Sequence, residues 1–346
     1  MEDLLVRNFE IQSHSGSYQV VFDDQLIDSN SLYSLGTHYI IDRNVFELLG
    51  TVDKPYVLID ANEENKSYLG IVPVIEQLIA QNLKRSSTLV AIGGGIIQDI
   101  TCFIANNFMR GVRWHFVPTT LLAQADSCIG SKSSINFGQY KNLLGSFTPP
   151  SSVLICNKFL NTLEDKDIRS GIGEIIKLYL IDGKLVDSDT IRDDLDYHLY
   201  QTLQIKKKFI EIDEFDKGIR NILNYGHCIG HAIESATNFE IPHGIAVSMG
   251  MDAANLFAFG EGMIEKQRFL DMHNVLITNY SLYKDVVIDI NLAIAALTHD
   301  KKNTSSEINL ILPVDLQFVK KGFENSASFW KKLISSLMQS GINFRS

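Results

Sequence analysis

Ser87-Thr-Leu-Val-Ala-Ile-Gly-Gly-Gly-Ile-Ile-Gln-Asp99 is a short apolar run that meets three consecutive glycines and continues into an apolar, helix-compatible stretch. This order describes a buried parallel strand delivering the chain to a helix N-terminus. With no Cβ at Gly93, Gly94 and Gly95, a pyrophosphate can approach the backbone closely. The free amides and dipole of the helix start favour its negative charge. The spacing is not Gly-x-Gly-x-x-Gly, so an ordinary tight β-to-α turn competes with the nucleotide reading when the segment is taken alone.

The same alternation repeats outward from this turn. Tyr56-Val-Leu-Ile-Asp60, His115-Phe-Val-Pro118 and Val153-Leu-Ile-Cys156 are strand-like runs separated by helical segments, the pattern of a parallel α/β sheet. Ligands of such sheets lie at the carboxyl ends of the strands, where the triple glycine falls. Beyond residue 165 the signal turns helical: 168–180, 203–212, 218–237 and 246–257 carry apolar positions at helical spacing. A strand-like run returns only at Ile308-Asn-Leu-Ile-Leu-Pro313. The expected division is therefore 1–165, an α/β nucleotide-binding domain with a Rossmann-like parallel sheet, and 166–346, a mainly α-helical domain.

The helical half carries its own chemistry. Asn224-Tyr-Gly-His-Cys-Ile-Gly-His-Ala-Ile-Glu234 and Ile241-Pro-His-Gly244 gather His227, His231 and His243, three of the nine histidines. A lone histidine on an apolar helix face is usually structural, but three flanked by glycines read as a site for Zn²⁺ or a similar ion. Local spacing pairs His227 with His231, because His-x-x-x-His puts both rings on one helix face. In Ser170-Gly-Ile-Gly-Glu-Ile-Ile-Lys177, Glu174 and Lys177 also share a face. Glu174 is there a candidate oxygen ligand and Lys177 a candidate substrate contact, against the plainer reading of a surface ion pair.

Two polar segments lie between glycines and histidines. In Pro118-Thr-Thr-Leu-Leu-Ala-Gln-Ala-Asp-Ser-Cys-Ile-Gly-Ser-Lys-Ser-Ser-Ile-Asn136 and Tyr140-Lys-Asn-Leu-Leu-Gly145, the groups Asp126, Lys132, Lys141 and Asn142 are set among apolar neighbours. Buried charges need partners, and ligands are partners.

A hydrophobic fraction of 45% with 21% charged residues is that of an ordinary globular protein able to bury sizeable cores over 346 residues. The formal charge of −10 argues against a nucleic-acid surface. No apolar run reaches the ~18 residues that a membrane span needs. With Cys102, Cys128, Cys156 and Cys228 scattered rather than paired in Cys-x-x-Cys, a cytoplasmic protein with reduced thiols is expected.

Taken together, Gly93-Gly-Gly-Ile-Ile-Gln-Asp99, Arg110-Gly, Pro118-Thr-Thr-Leu-Leu, Asp126-Ser-Cys-Ile-Gly-Ser-Lys132, Lys141-Asn142, Gly173-Glu-Ile-Ile-Lys177, the Gly218 to His231 run, His243-Gly and Asp300-Lys-Lys302 form an ordered series. The series resembles the 3-dehydroquinate synthase family of sugar phosphate cyclases over residues 40–315. The resemblance implies a dehydroquinate synthase-like fold and a homodimer. It also implies NAD and Zn²⁺ (or Co²⁺) as cofactors and a small phosphorylated sugar or sugar acid as substrate, with no nucleic-acid or membrane partner.

It shifts the metal ligands to Glu174, His227 and His243 and turns His231 toward substrate. NAD is expected on Gly93, Gly94 and Gly95 with Asp99, Thr119, Thr120, Lys141 and Thr162, with Asp42 and Asn44 at the adenosine end and Glu63 and Lys66 nearby. Asp126, Lys132, Lys177, Lys206, Arg220, Asn224 and His231 become catalytic candidates, and Arg110, Asn142, Asp216, Lys301 and Lys302 substrate contacts, Arg110 reaching a phosphate from the neighbouring subunit. The implied reaction is oxidation by NAD, phosphate elimination, reduction and aldol closure of 3-deoxy-arabino-heptulosonate 7-phosphate to 3-dehydroquinate. The alternatives are a specialised cyclase acting on an aminated or neutral sugar phosphate and a metal-dependent polyol dehydrogenase. The chain departs from the family pattern at Gln98 and Ser131, where glycines are usual, at Asp216 in place of Glu, and at Ile245 in place of the Glu of His-Gly-Glu. The last change removes a carboxylate two residues from His243 and is expected to alter what orients that imidazole.

Overall fold

The computed structural model describes residues 7–25, 31–34, 36–138, 140–298 and 306–345. The chain forms two compact units: residues 1–164 with 207–215, and 165–206 with 216–346.

The first unit opens with an antiparallel hairpin, β1 (Phe9–Ser13) and β2 (Gly16–Phe22). It continues through β3 (His38–Asp42), β4 (Tyr56–Ile59), α1 (Val72–Ala80), β5 (Thr88–Gly93), α2 (Gly95–Asn107) and β6 (Arg113–Pro118). A separate hairpin, β7 (Lys132–Phe137) and β8 (Tyr140–Phe147), precedes β9 (Ser152–Ile155). The sheet order is β1-β2-β9-β6-β5-β3-β4, parallel everywhere except between β1 and β2.

Every residue of β3 and β5 is buried, which explains why these strands read as continuous apolar runs rather than alternating ones: helices or loops cover both faces. Tyr39, Ile41, Val90, Ile92, Val117 and Phe159 form one core cluster. Each fully buried aliphatic or aromatic side chain contributes about 1.5–3 kcal/mol there. Helix α2 lays Ile97, Ile100, Thr101, Ile104 and Ala105 onto the sheet at helical spacing.

In the second unit α3 (Asp165–Ile181), α4 (Ser188–Asp193), α5 (Leu195–Ile212), α6 (His227–Ala236), α7 (His243–Gly260) and α8 (Lys266–Tyr280) follow one another. The last residues of α5 group with the first unit. β10 (Ile288–Asp289), α9 (Ile290–Thr298), the hairpin of β11 (Glu307–Val314) and β12 (Gln317–Glu324), α10 (Ala327–Gln339) and β13 (Phe344–Arg345) complete it. Helix α7 is buried on all sides, with α3, α6, α8 and α10 packed around it.

One expected helix is not continuous. The stretch 218–237 is a 3₁₀ turn, Ile219–Asn224, followed by α6, with Gly226 between them at φ 77°. A glycine reaches this left-handed conformation without penalty, so the chain turns there and restarts a helix at His227. Among the described residues, no helix is long and apolar enough to cross a membrane.

Candidate active site

In the first unit, β3 leads outward to β4, whereas β5 leads through β6 in the opposite direction. The strand order therefore reverses between the carboxyl ends of β3 and β5, at Asp42 and Gly93, the position where open α/β sheets bind ligands. Gly93 and Gly94 fit this place for steric reasons. A Cβ on Gly93 would strike Ile97 and sit 3.1 Å from the Asp42 side chain, and one on Gly94 would lie 3.0 Å from Thr120 Cγ2. The amide of Thr119 donates to Gly93 O at 3.0 Å, which holds the β6 end against the turn.

The N-cap of α2 is Gly94, which has no side chain to cap the helix, so the helix start presents backbone amides at the switch point, a setting that fits the pyrophosphate of a dinucleotide. Asp42 accepts from the Asn44 amide at 3.0 Å, and burial holds its carboxyl above the ordinary range.

Other nominated residues form a second cluster around the β7–β8 hairpin. Lys66 Nζ lies 2.6 Å from Asp99 Oδ2, and the Ser134 amide donates to Asp99 Oδ1 at 3.0 Å. Burial raises the Asp99 carboxyl, with Lys66 opposing it. Asn136 Nδ2 donates to Glu63 Oε2 at 2.8 Å, and the Asn142 amide donates to Asn136 Oδ1 at 2.9 Å. Lys141 is exposed on β8, Lys132 is exposed at the start of β7, and Thr162 is exposed at the end of the 3₁₀ turn Asn157–Thr162.

Asp126 sits half-buried in a π-helical turn, Ala123–Ser127. Gln98 ties that turn to α2: its Nε2 donates to Ser127 O at 2.7 Å, and Ser127 Oγ donates to its Oε1 at 2.6 Å. Arg110 is not gathered with these groups. It is exposed beyond the carboxyl end of α2, which is about 20 Å long at 1.5 Å per residue, while the glycines lie at its start. Asp300, Lys301 and Lys302 lie outside the described residues.

In the second unit, glycines bring the helices close enough to converge their polar groups. A Cβ on Gly173 would collide with the carbonyl of Gly244, and one on Gly244 with the carbonyl of Ser170. The next residue on α3 is Glu174, and His243 precedes Gly244 on α7, so this crossing sets their separation. Gly226 and Gly230 approach α7 in the same way and flank His227.

The result is a three-ligand cluster. One ligand atom each of Glu174, His227 and His243 lies within 4.8 Å of the others. Glu174 Oε1 is 3.6 Å from His227 Nε2 and 3.5 Å from His243 Nε2. The opposite ring nitrogens are also engaged: His227 Nδ1 lies 3.2 Å from Tyr225 O, and His243 Nδ1 lies 3.1 Å from Glu234 Oε2. Imidazoles that donate through Nδ1 turn both Nε2 lone pairs onto a carboxylate oxygen, three acceptors aimed at one point. A divalent cation completes that arrangement, so the residues fit a metal with an open coordination position. Burial alone would pull the His243 imidazole down, but hydrogen bonds and charge from Glu174 and Glu234 outweigh it and push its pKa up to about 10. The site therefore draws positive charge.

His231 groups with Glu234 and His243 rather than with His227 as a ligand set. Its ring nevertheless lies 5.5 Å from that of His227 and 5.6 Å from that of His243. Lys177 is buried and bonded to Glu174. The 3₁₀ turn bearing Arg220 and Asn224 packs on α3. Asp216, at φ 56°, accepts on its backbone carbonyl a hydrogen bond from Asn221 Nδ2 at 3.1 Å. Lys206 is buried although the lysine run it begins continues to an exposed Lys208.

Sequence reasoning missed Glu234. Its signal was its spacing, seven residues beyond His227 and three beyond His231 on the same helix face. With Ile245 fully buried, the carboxylate on His243 comes from α6 instead.

A nucleotide-type parallel sheet in one unit and a cluster of two imidazoles and a carboxylate in the other define a class of two-unit α/β enzymes that combine a dinucleotide fold with a metal centre. Residues 56–170 match the 3-dehydroquinate synthase N-terminal family and residues 171–303 the 3-dehydroquinate synthase C-terminal family. A 3-dehydroquinate synthase of Clostridium tetani is 36% identical over 86% of this chain and 83% of its own length. One of Helicobacter pylori is 35% identical over 83% and 84%.

The chain belongs to the 3-dehydroquinate synthase family, and it is an enzyme of the phosphate-eliminating carbon–oxygen lyase kind. The fold is shared with solved structures at lower identity. A 2-deoxy-scyllo-inosose synthase complexed with carbaglucose-6-phosphate, NAD⁺ and Co²⁺ has a TM-score of 0.83 at 24% identity, covering 96% of this chain and 100% of that one. A 2-epi-5-epi-valiolone synthase from Streptomyces hygroscopicus with NAD⁺ and Zn²⁺ bound has a TM-score of 0.75 at 24% identity, covering 93% and 96%.

Proposed function

We propose that the chain converts 3-deoxy-arabino-heptulosonate 7-phosphate to 3-dehydroquinate, using NAD⁺ and a divalent metal, Zn²⁺ or Co²⁺. The observation that carries an acid substrate is the burial of two cations: Lys206 and Arg220 are each only 4% exposed. Both belong to the unit that carries the Glu174, His227 and His243 cluster, and a planar guanidinium matches a carboxylate in bidentate fashion. A neutral sugar phosphate offers no carboxylate to these two groups.

When bound, NAD⁺ supplies reversible hydride transfer, and the metal polarises the oxygen at the carbon being oxidised. Glu174, His227 and His243 would hold the metal. Gly93, Gly94, Gly95, Asp42, Asn44, Thr119 and Thr120 would seat the dinucleotide, with Asp99, Glu63, Lys66, Lys141 and Thr162 around it. By the family resemblance Lys132 is assigned to the phosphate, whose charge it would stabilise as it leaves, and His231 to the substrate. Lys177, fixed beside Glu174, contacts a substrate hydroxyl, and Asp126, Asn142 and Asn224 orient the others. The overall conversion of this substrate to its product would carry no net redox change.

We assign Arg110 to the phosphate of a neighbouring protomer in a homodimer, because it stands at the end of α2 remote from the glycine turn. Four buried free thiols suit a reducing cytoplasm.

The test is phosphate release by the purified protein with NAD⁺ and Zn²⁺ or Co²⁺, offered the acid sugar phosphate, sedoheptulose 7-phosphate or glucose 6-phosphate. Turnover of the acid alone, lost in Arg220→Ala, is expected. Release from a neutral sugar alone overturns the carboxylate argument, and accumulation of NADH moves the protein to a polyol dehydrogenase.

A further inference from the structure

Ser131 has a left-handed backbone, φ 66°, a region that suits glycine and crowds the Cβ of other residues. It directly precedes Lys132, the first residue of β7. Its hydroxyl donates to Glu214 Oε1 at 2.6 Å, and its carbonyl accepts from the Thr148 amide at 2.8 Å.

The Glu214 carboxylate is a hub. Ser13 Oγ donates to Oε1 at 2.6 Å, and the His14 amide donates to Oε2 at 2.8 Å with His14 Nδ1 3.1 Å away. Beside it, Phe215 packs edge-on against Phe147, with ring centroids 5.1 Å apart. Burial raises the Glu214 carboxyl, but the bonds from Ser13, Ser131 and His14 outweigh it and hold it below the usual carboxylate range. A charged acceptor therefore meets the Ser131 hydroxyl at neutral pH.

We propose that Glu214 is a positioning residue for Lys132: it holds Ser131 in the left-handed conformation that starts β7 and so fixes where the Lys132 ammonium is presented. A glycine at 131 would adopt φ 66° unaided, whereas a serine needs an outside partner to be kept there. The Glu214 bond is that partner. The catalytic arm of this inference rests on the proposed role of Lys132 as a phosphate contact.

The test compares full-length Glu214→Ala, Ser131→Gly and the double variant by amide exchange at residues 130–133 and by KM and kcat for phosphate release. In Glu214→Ala, exchange at 130–133 is expected to rise about tenfold, and KM about fivefold with kcat within about twofold. Ser131→Gly alone is expected to resemble the wild type. Added to Glu214→Ala, it is expected to return KM to within about twofold of the wild type, since glycine removes the need for the partner. Glu214→Gln, which keeps an acceptor for Ser131, is expected to fall between and covers the case in which the alanine variant does not fold.

A double variant as impaired as Glu214→Ala, or exchange at 130–133 unchanged in every variant, overturns the proposal and leaves Glu214 a brace for Ser13 and His14. Lys132→Ala tests the underlying reading separately. If it leaves KM unchanged, the phosphate role of Lys132 fails, and exchange with its rescue by glycine still decides whether Glu214 orders the turn.

Discussion

Glu234 Oε2 stands 3.1 Å from His243 Nδ1, on the opposite side of the imidazole from Glu174 Oε1 at 3.5 Å from Nε2. One ring is thereby held between two carboxylates, and when a metal replaces the proton on Nε2 the outer one keeps Nδ1 the donor and so turns the Nε2 lone pair inward. Glu234→Ala is expected to weaken Co²⁺ binding by about 10–100-fold, the usual effect of removing a partner behind a metal-bound histidine. Glu234→Gln keeps an acceptor without the charge and is expected to lose less. Titration of metal-free protein with Co²⁺, followed by its visible absorbance, measures both, and an unchanged affinity in the alanine variant refutes the role.

The contact between Gly173 and Gly244 leaves no room for a Cβ against backbone on either helix. Gly173→Ala is expected to push α3 from α7, destabilising the protein by about 1–3 kcal/mol as overpacking does. It should also separate Glu174 from His243. Denaturant unfolding and bound metal per chain should fall together. Full metal content in a destabilised variant would show that the ligands do not depend on the crossing.

How much of this was legible in the sequence depended on whether the cause was local. The run from Thr88 to Asp99 fixes a strand, a turn and a helix from neighbouring residues alone, and these became β5 and α2. The His227–His231 pairing was equally local, whereas the candidate ligand atoms of Glu174, His227 and His243 converge from three helices. Only tertiary packing places Glu174 on α3 against His243 on α7. The glycines that permit it read as flanking residues until the opposite backbone is seen. Ser131 and Glu214 are 83 positions apart, and nothing near either one announces the bond.

Gly94 has an extended backbone, φ −80° and ψ −167°, that any residue can adopt, so its lack of a side chain is about space. Gly94→Val would put branched carbon between the turn and Thr120, where the dinucleotide phosphates are proposed to lie. NAD⁺ affinity, measured calorimetrically, is expected to fall at least about tenfold, or 1.4 kcal/mol, with the melting temperature little changed. Undiminished affinity would move the cofactor off this turn.

Asp252 on α7 is buried, and its Oδ2 takes a hydrogen bond from the Tyr280 hydroxyl and lies 2.7 Å from His273 Nδ1, both on α8. The bond to Asp252 raises the His273 pKa, with burial opposing it. A histidine raised in the folded state stabilises it fully below the unfolded value of about 6.5, and the gain is lost as pH climbs through the higher folded value. His273→Gln retains a neutral donor, so its deficit isolates the imidazolium charge. That deficit is expected to be about 1.5 kcal/mol near pH 5.5, typical of a hydrogen bond between charged groups, and to shrink toward zero near pH 9. Denaturant midpoints of both proteins across this range give the curve. A gap independent of pH would mean that His273 holds α8 to α7 by shape and a neutral bond, with no contribution from its charge.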